Sequence, residues 1–200
     1  IAGPEHLGSH ADRGRTVAIL WVFGVKMITR VWLPVVLAVA FVCPLLAQGD
    51  FEKGVSYYKQ GQYAKAAPEF EKLVAANPKY EDGWRILGDC YLKLKKYNEA
   101  TNAFQKALQL DSNQFVSYQG LALAYYNSGR YSDAIATLTR AERLARTPKD
   151  QHQVYRTLGA AHFNLGNFQE AAAALLKADS IQRANYQDSL QLGIAYYQLG

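Results

Sequence analysis

The chain has 200 residues, 50% of them hydrophobic and 20% charged, with a formal net charge of +5. Its charges are interspersed and no basic stripe follows one face, which argues against nucleic acid as a partner. Its two cysteines are Cys43 and Cys90.

Met27 is the only methionine, and the chain begins with Ile1. Residues 1–26 are therefore expected to be an upstream or untranslated segment. From Met27 a short positive head ends at Arg30, and an apolar run over 31–42 is broken only by Pro34. Pro44 and the small Ala47 follow, which is the three-part design of a signal peptide over 27–47, cleaved after Ala47. The alternative is an uncleaved membrane anchor, since residues 31–47 are at the bottom of the spanning range. A lipoprotein signal built on Cys43 is disfavoured by Phe41 and Val42 before it. The remainder, 48–200, has 18 basic and 15 acidic residues, hence +3. It keeps only Cys90, so it cannot close an intrachain disulfide, and the thiol is expected to be half-buried and structural.

From about residue 47 one pattern recurs. Tyr57, Tyr91, Tyr125, His162 and Tyr196 are spaced 34, 34, 37 and 34 apart. Ala66, Ala100, Ala134 and Ala171 keep the same steps, as do Tyr63, Tyr97, Tyr131 and Phe168. Gly61, Lys95, Gly129, Gly166 and Gly200 hold the register to the last residue. A fixed period of this size marks stacked repeats. The repeats fall at about 47–80, 81–114, 115–151 and 152–185, with a truncated fifth from 186.

The cleanest copy has Trp84, Leu87, Gly88 and Tyr91, then Ala100 and Phe104. That spacing, W-x2-L-G-x2-Y followed by A-x3-F, resembles the tetratricopeptide repeat. The resemblance implies an all-α fold, with helix-turn-helix units stacked into a right-handed superhelix. Copy one departs from it, with Asp50 and Lys53 where Trp84 and Leu87 stand, but keeps Gly54, Tyr57, Ala66 and Phe70. Copy three has Tyr118, Leu121, Ala122 and Tyr125, and copy four has Tyr155, Leu158, Gly159 and His162.

Periodicity predicts helices over 50–60 with 63–76, 81–94 with 97–110, 115–128 with 131–146, and 150–165 with 168–182. A lone first helix over 186–199 follows. The small Gly88 and Ala100 are expected where two backbones approach. Gly61, Gly129 and Gly166 fall where a left-handed residue ends a helix, and Lys95 is expected to pay for taking that conformation. The step of 37 arises near Pro148, as a longer helix or a longer loop. Without a polar cap after Gly200, an apolar face is left open, so the natural chain is expected to continue.

No phosphate loop or metalloprotease, hydrolase or dithiol motif occurs, and no cofactor or metal is implied. His152 and His162, ten residues apart on one helix, are too distant to share a metal. His162 is expected to be a packed, hydrogen-bonded histidine. Asp82 and Asp89, seven apart, suit ion pairs better than acid–base catalysis.

By the resemblance, first helices line a concave groove, with the residue after each repeat tyrosine pointing inward. The candidate partner-binding residues are Tyr58, Arg85, Asp89, Leu92, Leu123, Tyr126, Arg156, Phe163 and Tyr197. Aromatics and arginines dominate binding energy at interfaces, although the same rings also serve packing. The family's clamp for a terminal carboxylate is disfavoured, because Asp89, Leu123 and Ala160 occupy its key sites. The expected function is an exported, non-catalytic scaffold for a protein or peptide, in a bacterial periplasm or envelope. The alternatives are a docking module for an enzyme or transport component beyond Gly200, and a self-assembling structural protein.

Overall fold

The computed structural model describes residues 51–183 and 186–200, which form helices only. The expected upstream segment 1–26 and signal peptide 27–47 lie outside the described residues. The first helix, α1, covers 51–59. It is followed by α2 (Tyr63–Ala76), α3 (Glu81–Lys93), α4 (Tyr97–Leu110) and α5 (Phe115–Asn127). Then come α6 (Tyr131–Leu144), α7 (Pro148–Asn164), α8 (Phe168–Ile181) and α9 (Tyr186–Leu199). This is the all-helical stack of paired helices that the repeat pattern predicts.

The turn inside each pair is built the same way four times. Gly61, Gly129 and Gly166 have φ of 71°, 79° and 77°, and Lys95 takes 60°. The next residue's N–H donates to the carbonyl of the repeat tyrosine or its substitute. These bonds are Gln62 to Tyr57, Lys96 to Tyr91, Arg130 to Tyr125 and Asn167 to His162, at 2.9–3.0 Å. A left-handed residue with this six-residue closure satisfies carbonyls that the helix end would leave bare. The turn therefore locks the register, and every second helix begins at its predicted residue.

The step of 37 is resolved by α7, which has 17 residues against 13 in α3 and α5. The extra residues enter at its start, one position or more before the predicted 149–150. Thr147 caps it: its hydroxyl accepts from the Asp150 N–H, the Asp150 carboxylate accepts from the Thr147 N–H, and Pro148 takes the first position. That capping box and the preset φ of proline stabilise an earlier start. Accordingly α6 ends at Leu144, two residues before the expected 146.

The core is divided by repeat. Phe70, Leu73, Val74, Leu87, Cys90 and Ala103 form one cluster, and Ala100, Phe104, Leu121, Ala124 and Tyr125 the next. Ala122, Leu138, Ala141, Val154 and Leu158 form a third. Each large side chain so buried contributes about 1.5–3 kcal/mol. Cys90 is fully buried rather than half-buried, and burial pushes its thiol up to about 12. Gly88 also differs from expectation: its near neighbour is the ring of Phe104, not Ala100. Among the described residues no helix is long and apolar enough to cross a membrane.

A candidate partner-binding groove

Each helix packs on its neighbours in sequence, and α3 also meets α5, α5 meets α7, and α7 meets α9. No two second helices come comparably close among the described residues. The stack is thus tighter on the side of the first helices, which places them on its inner, concave surface.

Two adjoining hollows lie on that surface. One, of about 150 Å³, gathers Tyr58 of α1, Arg85, Asp89, Leu92 and Lys93 of α3, and Val116, Gln119 and Leu123 of α5. The other, of about 200 Å³, holds Leu123 and Tyr126 of α5, Gln153, Arg156, Thr157 and Ala160 of α7, and Gln187, Asp188 and Gln191 of α9. Leu123 belongs to both. Seven of the nine predicted residues therefore come together: Tyr58, Arg85, Asp89, Leu92, Leu123, Tyr126 and Arg156. Phe163 and Tyr197 line neither hollow.

Several of these side chains are already engaged. The Tyr58 hydroxyl donates to Asp89 Oδ2 at 2.5 Å, joining α1 to α3. Burial first, and then this bond, raise the Tyr58 phenol well above the ordinary range for tyrosine. Arg85 leans back along its own helix to Asp82, at 2.7 Å. Arg156 Nε donates to both oxygens of Asp188, at 3.0 and 2.8 Å, and joins α7 to α9. Asp188 is buried, so without a cation its charge would be costly there. These bonds hold successive repeats at a set spacing and shape the groove floor.

The aromatic residues after the repeat tyrosine brace the turns. Tyr58 packs edge-on against Tyr63, Tyr126 against Tyr131, and Phe163 against Phe168, with centroids 5.5–5.7 Å apart. Copy two has Leu92 at this position and Lys95 at the turn, so it lacks both the aromatic brace and the glycine. Tyr197 of α9 is 83% exposed.

What the groove offers a ligand is concentrated at its second hollow. Asn164 Nδ2 donates to the Tyr126 oxygen at 3.2 Å, which leaves the hydroxyl proton of Tyr126 ungiven within the described residues. The side-chain amides of Gln153, Gln187 and Gln191 make no hydrogen bond within the described residues. Sequence reasoning missed these glutamines because it followed the aromatic and charged positions. One signal was available: Gln153 and Gln187 are 34 residues apart, in register. A carboxamide offers donor and acceptor together, which matches a peptide unit.

His162 does not take up the hydrogen bond of the tyrosine it replaces. Tyr91 donates to Glu71 at 2.6 Å, and Gln105 donates to Tyr125 at 2.9 Å. The equivalent Glu142 instead accepts from Tyr155, at 2.9 Å. His162 Nδ1 is 3.4 Å from the Asn167 amide, and burial holds the imidazole below its ordinary value while Glu170 opposes this. Among the described residues no three metal-binding side chains gather.

With this architecture in view, the comparison with known families is decisive. Models described as tetratricopeptide repeat match residues 45–115, 93–158 and 152–185. The chain is a tetratricopeptide repeat protein. As such it is 33% identical over 84 residues to superkiller complex protein 3 of Mus musculus, covering 42% of this chain and 5% of that protein. To the peroxisomal targeting signal receptor of Komagataella phaffii it is 32% identical over 91 residues, 45% of this chain and 16% of that one. The repeats thus span a small part of these much longer relatives. Among solved structures, a crystal structure of MamA protein superposes with a TM-score of 0.71 at 24% identity, covering 77% of this chain and 82% of that chain. That likeness is one of fold: stacked tetratricopeptide repeats.

Proposed function

We propose that this chain is an exported, non-catalytic scaffold that holds a segment of a partner protein in its concave groove. The observation that carries this is the pair of adjoining hollows sharing Leu123, with unengaged polar groups around the second. An extended segment lying across them sets an apolar side chain on Leu123. Its main chain is met by Tyr126 and the carboxamides of Gln153, Gln187 and Gln191. In this reading Tyr58, Asp89 and Arg156 build the groove rather than anchor the ligand, since their polar atoms are spent between repeats. Arg85 and Lys93 give the first hollow a positive rim. The printed name of one relative, a targeting signal receptor, agrees with segment recognition by such repeats.

The test is selection of a random-peptide library on the full chain, followed by titration of the selected peptides. Leu123→Glu and Gln153→Ala/Gln187→Ala should each weaken binding, with the helical signal intact. Unaltered affinity in both would remove the groove as the binding face.

Export is supported by the charged head, apolar run and small residue of 27–47. Expression from Met27 in a bacterium, with the envelope product weighed, checks it. A soluble species starting at Gln48 is expected, and a membrane species retaining 27–47 would make the protein an anchored one.

A further inference from the structure

The outer face carries its own clefts, because second helices diverge where first helices converge. The larger, about 700 Å³, opens between α2 and α4 over α3. Leu87, Val74 and Ala103 are buried at its base, and Trp84 and Tyr91 are half-buried beside them. Glu71 and Glu99 stand exposed at its rim. A second cleft, about 580 Å³, lies between α4 and α6 at positions 34 residues on.

The repeat makes the two clefts a controlled comparison. In the second, Gln105 replaces Glu71, and Asp133, the counterpart of Glu99, is paired with Arg130 at 2.7 Å. In the first, Glu71 accepts from the neutral Tyr91 hydroxyl, and neither carboxylate has an ion pair within the described residues. Lys96, the counterpart of Arg130, is over the Tyr91 ring at 5.8 Å and pairs with neither. Lys106 on the rim is engaged with Gln109. Only the first cleft therefore couples an apolar base to two uncompensated carboxylates.

We propose that this cleft takes a short amphipathic helix of a partner protein, with apolar residues on its base and a lysine or arginine beside Glu71 and Glu99. The shape favours a helix over a strand. Base residues 84, 87 and 91 are stepped by three and four, which matches a helical stripe. The walls are helices with no free strand edge to extend. Along α4 the cleft runs from Glu99 to Gln109, about 15 Å at 1.5 Å per residue, or nearly three turns. This surface is opposite the concave groove and does not depend on the reading given for that groove.

The probe is a synthetic helix-stapled peptide of about three turns, with leucines at i, i+3 and i+7 and flanking lysines. A second peptide replaces the lysines with glutamates. The lysine peptide should bind the full chain, shift the Trp84 indole resonance and lose affinity as salt rises. Glu71→Gln with Glu99→Gln should weaken it by about tenfold. Ala75→Arg, at an exposed position on the cleft wall, should abolish binding in a chain that still melts cooperatively. Leu123→Glu should leave it unchanged. Equal binding of the two peptides, no binding of the lysine peptide, or normal binding by folded Ala75→Arg would overturn the proposal. Loss of binding in Leu123→Glu would do the same, by moving the site to the groove.

Discussion

The ring of Phe104 fills the space that a side chain on Gly120 would need. A methyl group there would collide with the far edge of the ring, and one on Gly88 would stand 3.0 Å from its near side. Phe104, on α4, is thus clasped by α3 of its own repeat and α5 of the next. It is 1% exposed, so it has nowhere to move.

Gly120→Ala should therefore destabilise the fold by about 1–3 kcal/mol through overpacking, despite the better helix propensity of alanine. Gly193 in α9 has nothing within 4 Å of an added Cβ. There Gly193→Ala should stabilise by about 0.4–1 kcal/mol. Urea unfolding of both variants beside the parent checks the sign of each.

The inter-repeat bonds predict which groove variants confuse folding with binding. Arg156→Ala strands the buried Asp188 and should cost about 1–3 kcal/mol, the Arg156 side chain being partly exposed. Tyr58→Phe should cost about 1 kcal/mol by releasing Asp89. Tyr126→Phe removes a proton that no described group accepts, and should change stability by less than about 0.5 kcal/mol. Chemical denaturation of the three variants orders them.

Glu69 predicts a pH dependence. It is buried, and Lys53 at 2.8 Å and Lys72 at 3.2 Å hold its carboxyl below the ordinary range against the opposing effect of burial. A carboxyl depressed in the folded state contributes stability above its unfolded value, about 4.3 for glutamate, and loses it as pH falls through the folded value. Glu69→Gln should therefore lower the melting temperature at neutral pH. The gap should close as the solution is acidified below about pH 4, which thermal melts across pH will show.

Cys90 should be silent toward thiol reagents while the chain is folded. It is 0% exposed and its thiol is raised to about 12, so almost no thiolate is present at neutral pH. In a Cys43→Ser background, labelling should proceed only at the rate of unfolding and become fast in denaturant.

Helix pairing, turn positions and most of the groove were legible in the sequence because they repeat. A residue such as Leu123 or Tyr126 inherits its direction from its place in the register, and the turn at Gly129 holds that register. What was illegible depends on which side chains meet across repeats. Nothing in the spacing distinguishes an Arg156 that binds a ligand from one that pairs with Asp188. Likewise Gly120 looks like any helical glycine until the ring of Phe104 is placed over it. The outer clefts were missed for a related reason: their base residues are the repeat's own packing residues, and only the divergence of α2 from α4 leaves them accessible. The longer α7 was open between helix and loop until the Thr147 cap decided it.

The most direct test of groove binding is a nuclear magnetic resonance titration of the isotope-labelled chain with a peptide selected against it. The account predicts shifts concentrated at Leu123, Tyr126 and Gln153, spreading to Gln187 and Gln191 of α9, with α2, α4 and α6 little changed. Shifts confined to the outer faces of α2, α4 and α6, with those groove resonances unmoved, would contradict it.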